Sequence, residues 1–150
     1  MGVLFSYFAA TSDDVAAAVI DLPSGPGAGS TVLATIEVAD VDPVVQLGTL
    51  ESLLTGAGYS EVIGKPRQGH PLAVRDGGEC LVLTITDELR DALATASNTA
   101  LHTVAGRWAA TDEFGGQAEP EMLVDILQEL AGLARSARAG TGKLYCWLRV

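Results

Sequence analysis

Positive charge is missing from the front of this chain. The first lysine or arginine is Lys65, whereas Asp13, Asp14, Asp21, Glu37, Asp40, Asp42, Glu51 and Glu61 all precede it. Residues 1–64 therefore carry a formal −8 of the total −10. A field of that sign repels phosphate backbones and anionic lipid, which excludes nucleic acid and membrane surfaces as partners and favours a basic protein. The same acids also start helices and keep a small domain in solution.

Metal- and thiol-based chemistry is short of residues too. There are two cysteines and two histidines, and no CxxC. Cys80 and Cys146 sit in the apolar runs "ECLVLTI" and "LYCWLRV", where a free thiol behaves as a small hydrophobe. A structural zinc site has almost no ligands to draw on, and no cofactor is expected. No apolar run reaches the roughly 18 residues of a membrane span. "MGVLFSYFAATSDD" has neither the basic start nor the long apolar centre of a signal peptide, so a cytoplasmic setting is expected.

Nucleophile motifs are equally scarce. There is no G-x-S-x-G elbow, and His102 in "NTALHTVAG" has no sequence-local acid to orient it. A triad would have to be assembled by folding. "GTGK" at 140–143 echoes the end of a phosphate loop. Ala137 stands where that loop needs Gly, Leu144 where it needs a hydroxyl, and a strand follows instead of a helix. The acid pairs Asp13/Asp14, Asp87/Glu88 and Asp112/Glu113 are adjacent, so they do not face each other across a substrate by design. No catalytic residue is assigned.

What is present is a core. At 48% hydrophobic residues, a chain of this length buries roughly 70% of the surface it exposes when unfolded, enough for one domain spanning residues 1–150. "GVLFSYFAA" reads as a strand, and Thr11 or Ser12 caps a short helix in "DDVAAAVI". "LPSGPGAGS" is turn-rich, and "TVLATIEV" is a strand. In "DVDPVVQLGTLESLLTG", Asp42 caps, Pro43 occupies the first turn, Val44, Leu47, Leu50, Leu53 and Leu54 line one face, and Gly56 ends the helix. "KPRQGHPLAVRDGGE" holds the cluster Lys65, Arg67, His70 and Arg75. Pro66 and Pro71 oppose a helix there, and the segment reads as a solvated loop that pairs with the acidic half, or as an anion site.

"CLVLTI" is a core strand, and Thr86 caps the helix "DELRDALATA". Pro120 starts the strongest helix, with Leu123, Ile126, Leu127, Leu130, Leu133, Ala134 and Ala137 at spacings of three and four. "KLYCWLRV" closes the chain as a strand with Leu144, Cys146, Leu148 and Val150 on one face. Strands at both ends and in the middle, separated by helices, predict an α/β or α+β fold: a compact two-layer domain with a mixed sheet backed by helices. Strands near 3–9, 79–85 and 143–150 belong to one sheet, backed by the Pro120 helix.

"RWAATDEFGGQAEPEML", residues 107–123, looks least like scaffolding. Trp108 and Phe114 suit apolar plugs over the core, with Thr111 capping a short turn. Arg107 and Gln117 have no such justification, and a tryptophan beside an arginine and acids is the composition of an interaction hot spot. Arg107, Trp108, Asp112, Glu113, Phe114 and Gln117 are the candidate binding residues, and Asp40, Asp42 and Glu51 a candidate acidic face.

"MGVLFSYFAATSDDVAAAVID" followed by "VADVDPVVQLGTLESLLTG" resembles the YfbM-like family of small bacterial cytoplasmic proteins over residues 1–56. Members typically carry a Trp and often a His in the second helix, where this chain has Val45 and Thr49 or Leu50. The resemblance implies a compact α/β or α+β domain with no established activity. Two function classes follow: a noncatalytic protein-interaction domain of immunity-like or regulatory type, and a small-molecule binder or small enzyme using the 107–117 loop with His70 or His102.

Overall fold

The structure, a computed structural model, describes residues 4–22, 25–26, 34–115, 118–140 and 142–150. Strands β1 (Leu4–Ala10), β2 (Thr35–Ala39), β3 (Pro71–Arg75), β4 (Cys80–Thr84) and β5 (Lys143–Arg149) form one sheet in the order β2-β1-β5-β4-β3. The helices are α1 (Asp13–Ala18), α2 (Val45–Thr55), α3 (Tyr59–Ile63), α4 (Asp87–Thr95), α5 (Asn98–Ala109) and α6 (Pro120–Ala139). The expected sheet backed by helices is present, with β1, β4 and β5 together. All four pairings are antiparallel, where parallel neighbours were also expected. For β3 and β4 the reason is local: the three-residue turn Asp76–Gly78 between them is so short a link that it can join only antiparallel strands.

Alternation along the strands sends two sets of apolar side chains to opposite faces. Phe5, Tyr7, Leu83, Leu144, Cys146 and Leu148 face a large core shared with α2, α4, α5 and α6. Phe8, Ala10, Cys80, Val82, Tyr145 and Trp147 face a smaller one under α1 and the turn after it. Helix α6 supplies the predicted stripe, with Leu123, Leu127, Leu130, Leu133, Ala134 and Ala137 buried. Three caps fall where the sequence puts them. Ser12 accepts from the Val15 N–H and Thr86 from the Leu89 N–H, and Gly56 closes α2 in the left-handed conformation.

Three elements lie where no helix or strand was expected. Helix α5 hides its stripe of Leu101, Val104, Ala105 and Trp108 among Thr103, Gly106 and Arg107, and Ser97 caps it. Helix α3 is barely more than a turn. Strand β3 was masked by Pro71, yet Pro is tolerated as the first residue of an edge strand, and the register shifts between Pro71 and Ala73. The second glycine of "GTGK" has a steric cause: a Cβ on Gly142 would lie 2.7 Å from the Ala10 carbonyl oxygen.

Candidate functional site

The 107–117 stretch divides into a buried anchor and an exposed rim. Trp108 is 0% exposed. Its indole Nε1 donates to the Gln46 carbonyl at 3.0 Å, and its ring meets Phe114 edge to face at 5.1 Å. Gln46 completes the joint: its Nε2 donates to the Glu113 carbonyl, and its Oε1 accepts from the Asp42 N–H. The Thr111 hydroxyl donates back to the Trp108 carbonyl rather than capping the Asp112–Phe114 turn. Trp108 and Phe114 therefore staple this turn to the start of α2.

Arg107 does have a helical position after all. It is exposed in the last turn of α5, where a cation is favourably placed against the helix dipole. It makes no ion pair among the described residues. Gln117 lies outside the described residues. Asp112 and Glu113 border an open depression of about 390 Å³ with Thr49, Ser52, Leu53 and Tyr59. No histidine joins them: His70 is exposed at the start of β3, and the ring of His102 bonds within its own helix to the Asn98 carbonyl.

A better formed groove of about 440 Å³ lies on the other side of Phe114. One wall is Glu37, Val38, Ala39, Asp40 and Val41, and the other is Phe114, Ala118, Met122, Leu123 and Ile126. Met122 is 55% exposed. It lies four residues before Ile126, so both line one side of α6. The strand wall is fixed from below: the Tyr7 hydroxyl, buried and with its pKa pushed well up by desolvation, donates to the Val41 carbonyl.

The tertiary structure redistributes the charge. Seven cations are matched: Lys65 with Glu51 and Glu88, Arg67 with Asp13, Arg75 with Asp21, Arg90 and Lys143 with Asp87, Arg138 with Asp91, and Arg149 with Asp76. Three acids of the front half, Asp13, Asp21 and Glu51, are thereby neutralised by the cluster that follows them. Twelve acids are left without an ion pair among the described residues, and eight of them lie on the segments that form the groove or adjoin it. Glu37 and Asp40 lie on its strand wall, Asp112 and Glu113 on the turn, and Glu119, Glu121, Asp125 and Glu129 along α6.

The candidate acidic face is corrected accordingly. Asp40 is exposed, in the left-handed conformation with φ 60°. Asp42 is half-buried, and its Oδ1 accepts from the Val44 and Val45 N–H groups at 2.7 and 2.9 Å, so it holds the start of α2. Glu51 is 1% exposed. Its carboxylate accepts from the Thr86 hydroxyl and pairs with Lys65 Nζ at 2.5 Å, so it presents no charge at the surface. An acid in the middle of a helix reads as solvent-facing until the loop that covers it is known.

A polar network that the sequence did not disclose lies at the opposite side of the sheet. Arg67 grips both Asp13 oxygens at 3.0 and 3.1 Å, and the Tyr145 hydroxyl donates to the same carboxylate at 2.7 Å. The bonds from Arg67 and Tyr145 hold the Asp13 carboxyl below the usual range. Burial and then Asp13 push the Tyr145 phenol up. These partners are 54 and 132 residues apart, and no local pattern could join them. Both terminal nitrogens of Arg67 and the Tyr145 hydroxyl are directed at Asp13, while Arg67 Nε is buried without a hydrogen-bond partner among the described residues, so the network acts as a clamp between α1 and the sheet.

Among the described residues, no group of three or more His, Cys, Asp or Glu is arranged to hold a metal ion, and no helix is long and apolar enough to cross a membrane. Comparison of the chain with protein-family models, curated proteins and solved structures gives no match.

Proposed function

We propose that this chain is a noncatalytic protein-interaction domain, of immunity-like or regulatory type, that engages a basic partner through the groove between β2 and α6. One observation carries the reading: among the described residues an apolar groove has the unpaired acids Glu37 and Asp40 on its strand wall, with further unpaired acids on the turn and helix that adjoin it, while seven of the nine cations pair elsewhere. Apolar side chains in a cleft supply affinity, and rim charges of one sign supply steering and selection. A field of that sign disfavours nucleic acid and anionic membranes as partners. A cytoplasmic setting and the likeness of residues 1–56 to the YfbM-like family accompany this proposal. The small-molecule reading of the 107–117 loop is not favoured, because Trp108 is fully enclosed and the adjoining depression is shallow and without a histidine.

The test is capture from native lysate at low and high salt with paired variants. Glu37→Lys with Asp40→Asn removes acid from the groove, asparagine being compatible with the positive φ. Glu61→Lys with Glu79→Gln makes the same change in net charge away from it. A partner lost with the first pair and kept with the second, with association slowing as salt rises, is the expected result. Equal recovery with both pairs would overturn the proposal.

A further inference from the structure

We infer that the groove takes an extended segment of its partner as a sixth strand beside β2, with apolar and basic side chains alternating along that segment. The inference rests on the interaction-domain reading and gives its mode.

The first argument is geometric. Successive residues of a strand point to opposite faces, so a pocket that touches only side chains of one face meets every second residue. This groove meets five consecutive residues, 37 to 41. Its wall is therefore the backbone edge of β2 and the chain that continues from it. That edge is open: among the described residues β2 pairs only with β1. The Ala9 N–H donates to the Ala34 carbonyl, which fixes the alternation in this antiparallel pair. Residues 34, 36 and 38 bond inward to β1, so Glu37 and Ala39 turn their N–H and C=O groups outward.

The second argument compares the two sheet edges. An exposed edge invites another strand, and proteins blunt it with proline, irregular register or lysine. Strand β3 carries Pro71 and a register shift. Strand β2 has neither, and its five pairs with β1 run without a break. Its only guard is Glu37, which repels an acidic strand and attracts a basic one.

The third argument sets the pattern of the occupant. Ile36 and Val38 belong to the core on the helix side, so Glu37 lies on the opposite face of the sheet. An added strand would drop every second side chain toward Phe114, Met122 and Ile126. The alternate set would stand beside Glu37, where a cross-strand cation is favoured. Apolar and basic residues in alternation satisfy both sides at once, and the backbone bonds supply register.

A labelled peptide of about ten residues alternating Val and Lys is the probe, followed by fluorescence anisotropy at low and high salt. Binding is expected to weaken at least tenfold when alternate peptide amides are N-methylated, which keeps charge and shape but removes strand pairing. Ala39→Pro should weaken it similarly, since proline is tolerated where a strand N–H faces outward, and its melting curve checks the fold. A Val-Glu peptide should not bind. Amide exchange at Glu37 and Ala39 should slow in the complex. Slow exchange at both amides in the free protein would mean that the edge is already occupied and would overturn the inference. Peptide binding indifferent to N-methylation and to Ala39→Pro would overturn strand addition and leave the interaction reading standing. So would failure of the Val-Lys peptide while the groove variants still lose the captured partner. Failure of both peptide binding and charge-dependent capture would remove the two proposals together.

Discussion

The two edges of the sheet are built on different principles. At the β3 edge, side chains of opposite charge meet: Arg67 clamps Asp13, Lys65 covers Glu51, Arg75 pairs with Asp21, and the strand begins with proline. At the β2 edge, cohesion comes from apolar contact, with Trp108 locked on Gln46 and Phe114, while Glu37 and Asp40 have no ion pair among the described residues. The matched edge serves the fold. At the β2 edge, Glu37 and Ala39 turn backbone groups away from β1 and have no strand partner on that side among the described residues, the arrangement on which the proposed recruitment rests.

The sharpest way to break this contrast is Trp108→Ala. It removes a fully buried indole and its hydrogen bond, and is expected to cost about 3–5 kcal/mol in denaturant unfolding. A loss below about 1 kcal/mol would show that apolar stapling does not hold the β2 side. At the other edge, Lys65→Met leaves the carboxylate of Glu51 buried without its counter-ion and should cost about 3 kcal/mol. Glu51→Gln should cost only about 1 kcal/mol, because Lys65, with 22% of its side chain exposed, can turn to water. Equal losses would mean that the pair is not asymmetric in burial.

Asp13 tests the same edge through pH. Its carboxyl is held below the ordinary value by Arg67 and then Tyr145. A depressed folded pKa gives stability that is present above the unfolded value, near about 3.9, and is lost as pH falls through the folded value. Asp13→Asn should flatten the fall in melting temperature below about pH 4 and change little at neutral pH beyond the loss of a part-exposed pair. An unchanged acid slope would show that Arg67 and Tyr145 do not hold this carboxylate. The smallest effects belong to the unmatched side. Glu37→Lys with Asp40→Asn, and separately Arg107→Ala, should each alter stability by no more than about 0.5 kcal/mol. A larger loss in either would assign those charges to the fold.

Periodic segments were legible because local chemistry fixes them. The stripe of α6, the caps at Ser12 and Thr86, the stop at Gly56 and the two-faced strand at 143–149 each follow from residues within a few positions of one another. Helix α5 was not, because Gly106 and Thr103 dilute its pattern and its stability comes from burying Trp108 against α2. The candidate site was legible in part. Trp108 and Phe114 were recognisable as plugs, but the groove beside them joins residues 37–41 to 114–126, and its one local sign was Met122, an apolar residue outside the buried stripe.

The sequence by itself determined the surplus of negative charge, the apolar content that demands a core, and the strand and helix periods that place residues in it. Only the tertiary structure decided which acids remain uncompensated. Carboxylates and cations pair according to proximity in space, and Asp13 finds Arg67 across 54 residues of chain. Folding thus pairs Asp13, Asp21 and Glu51 of the acidic front half with cations and leaves Glu37 and Asp40 without an ion pair among the described residues, beside a groove to which residues separated by some 80 positions contribute the two walls.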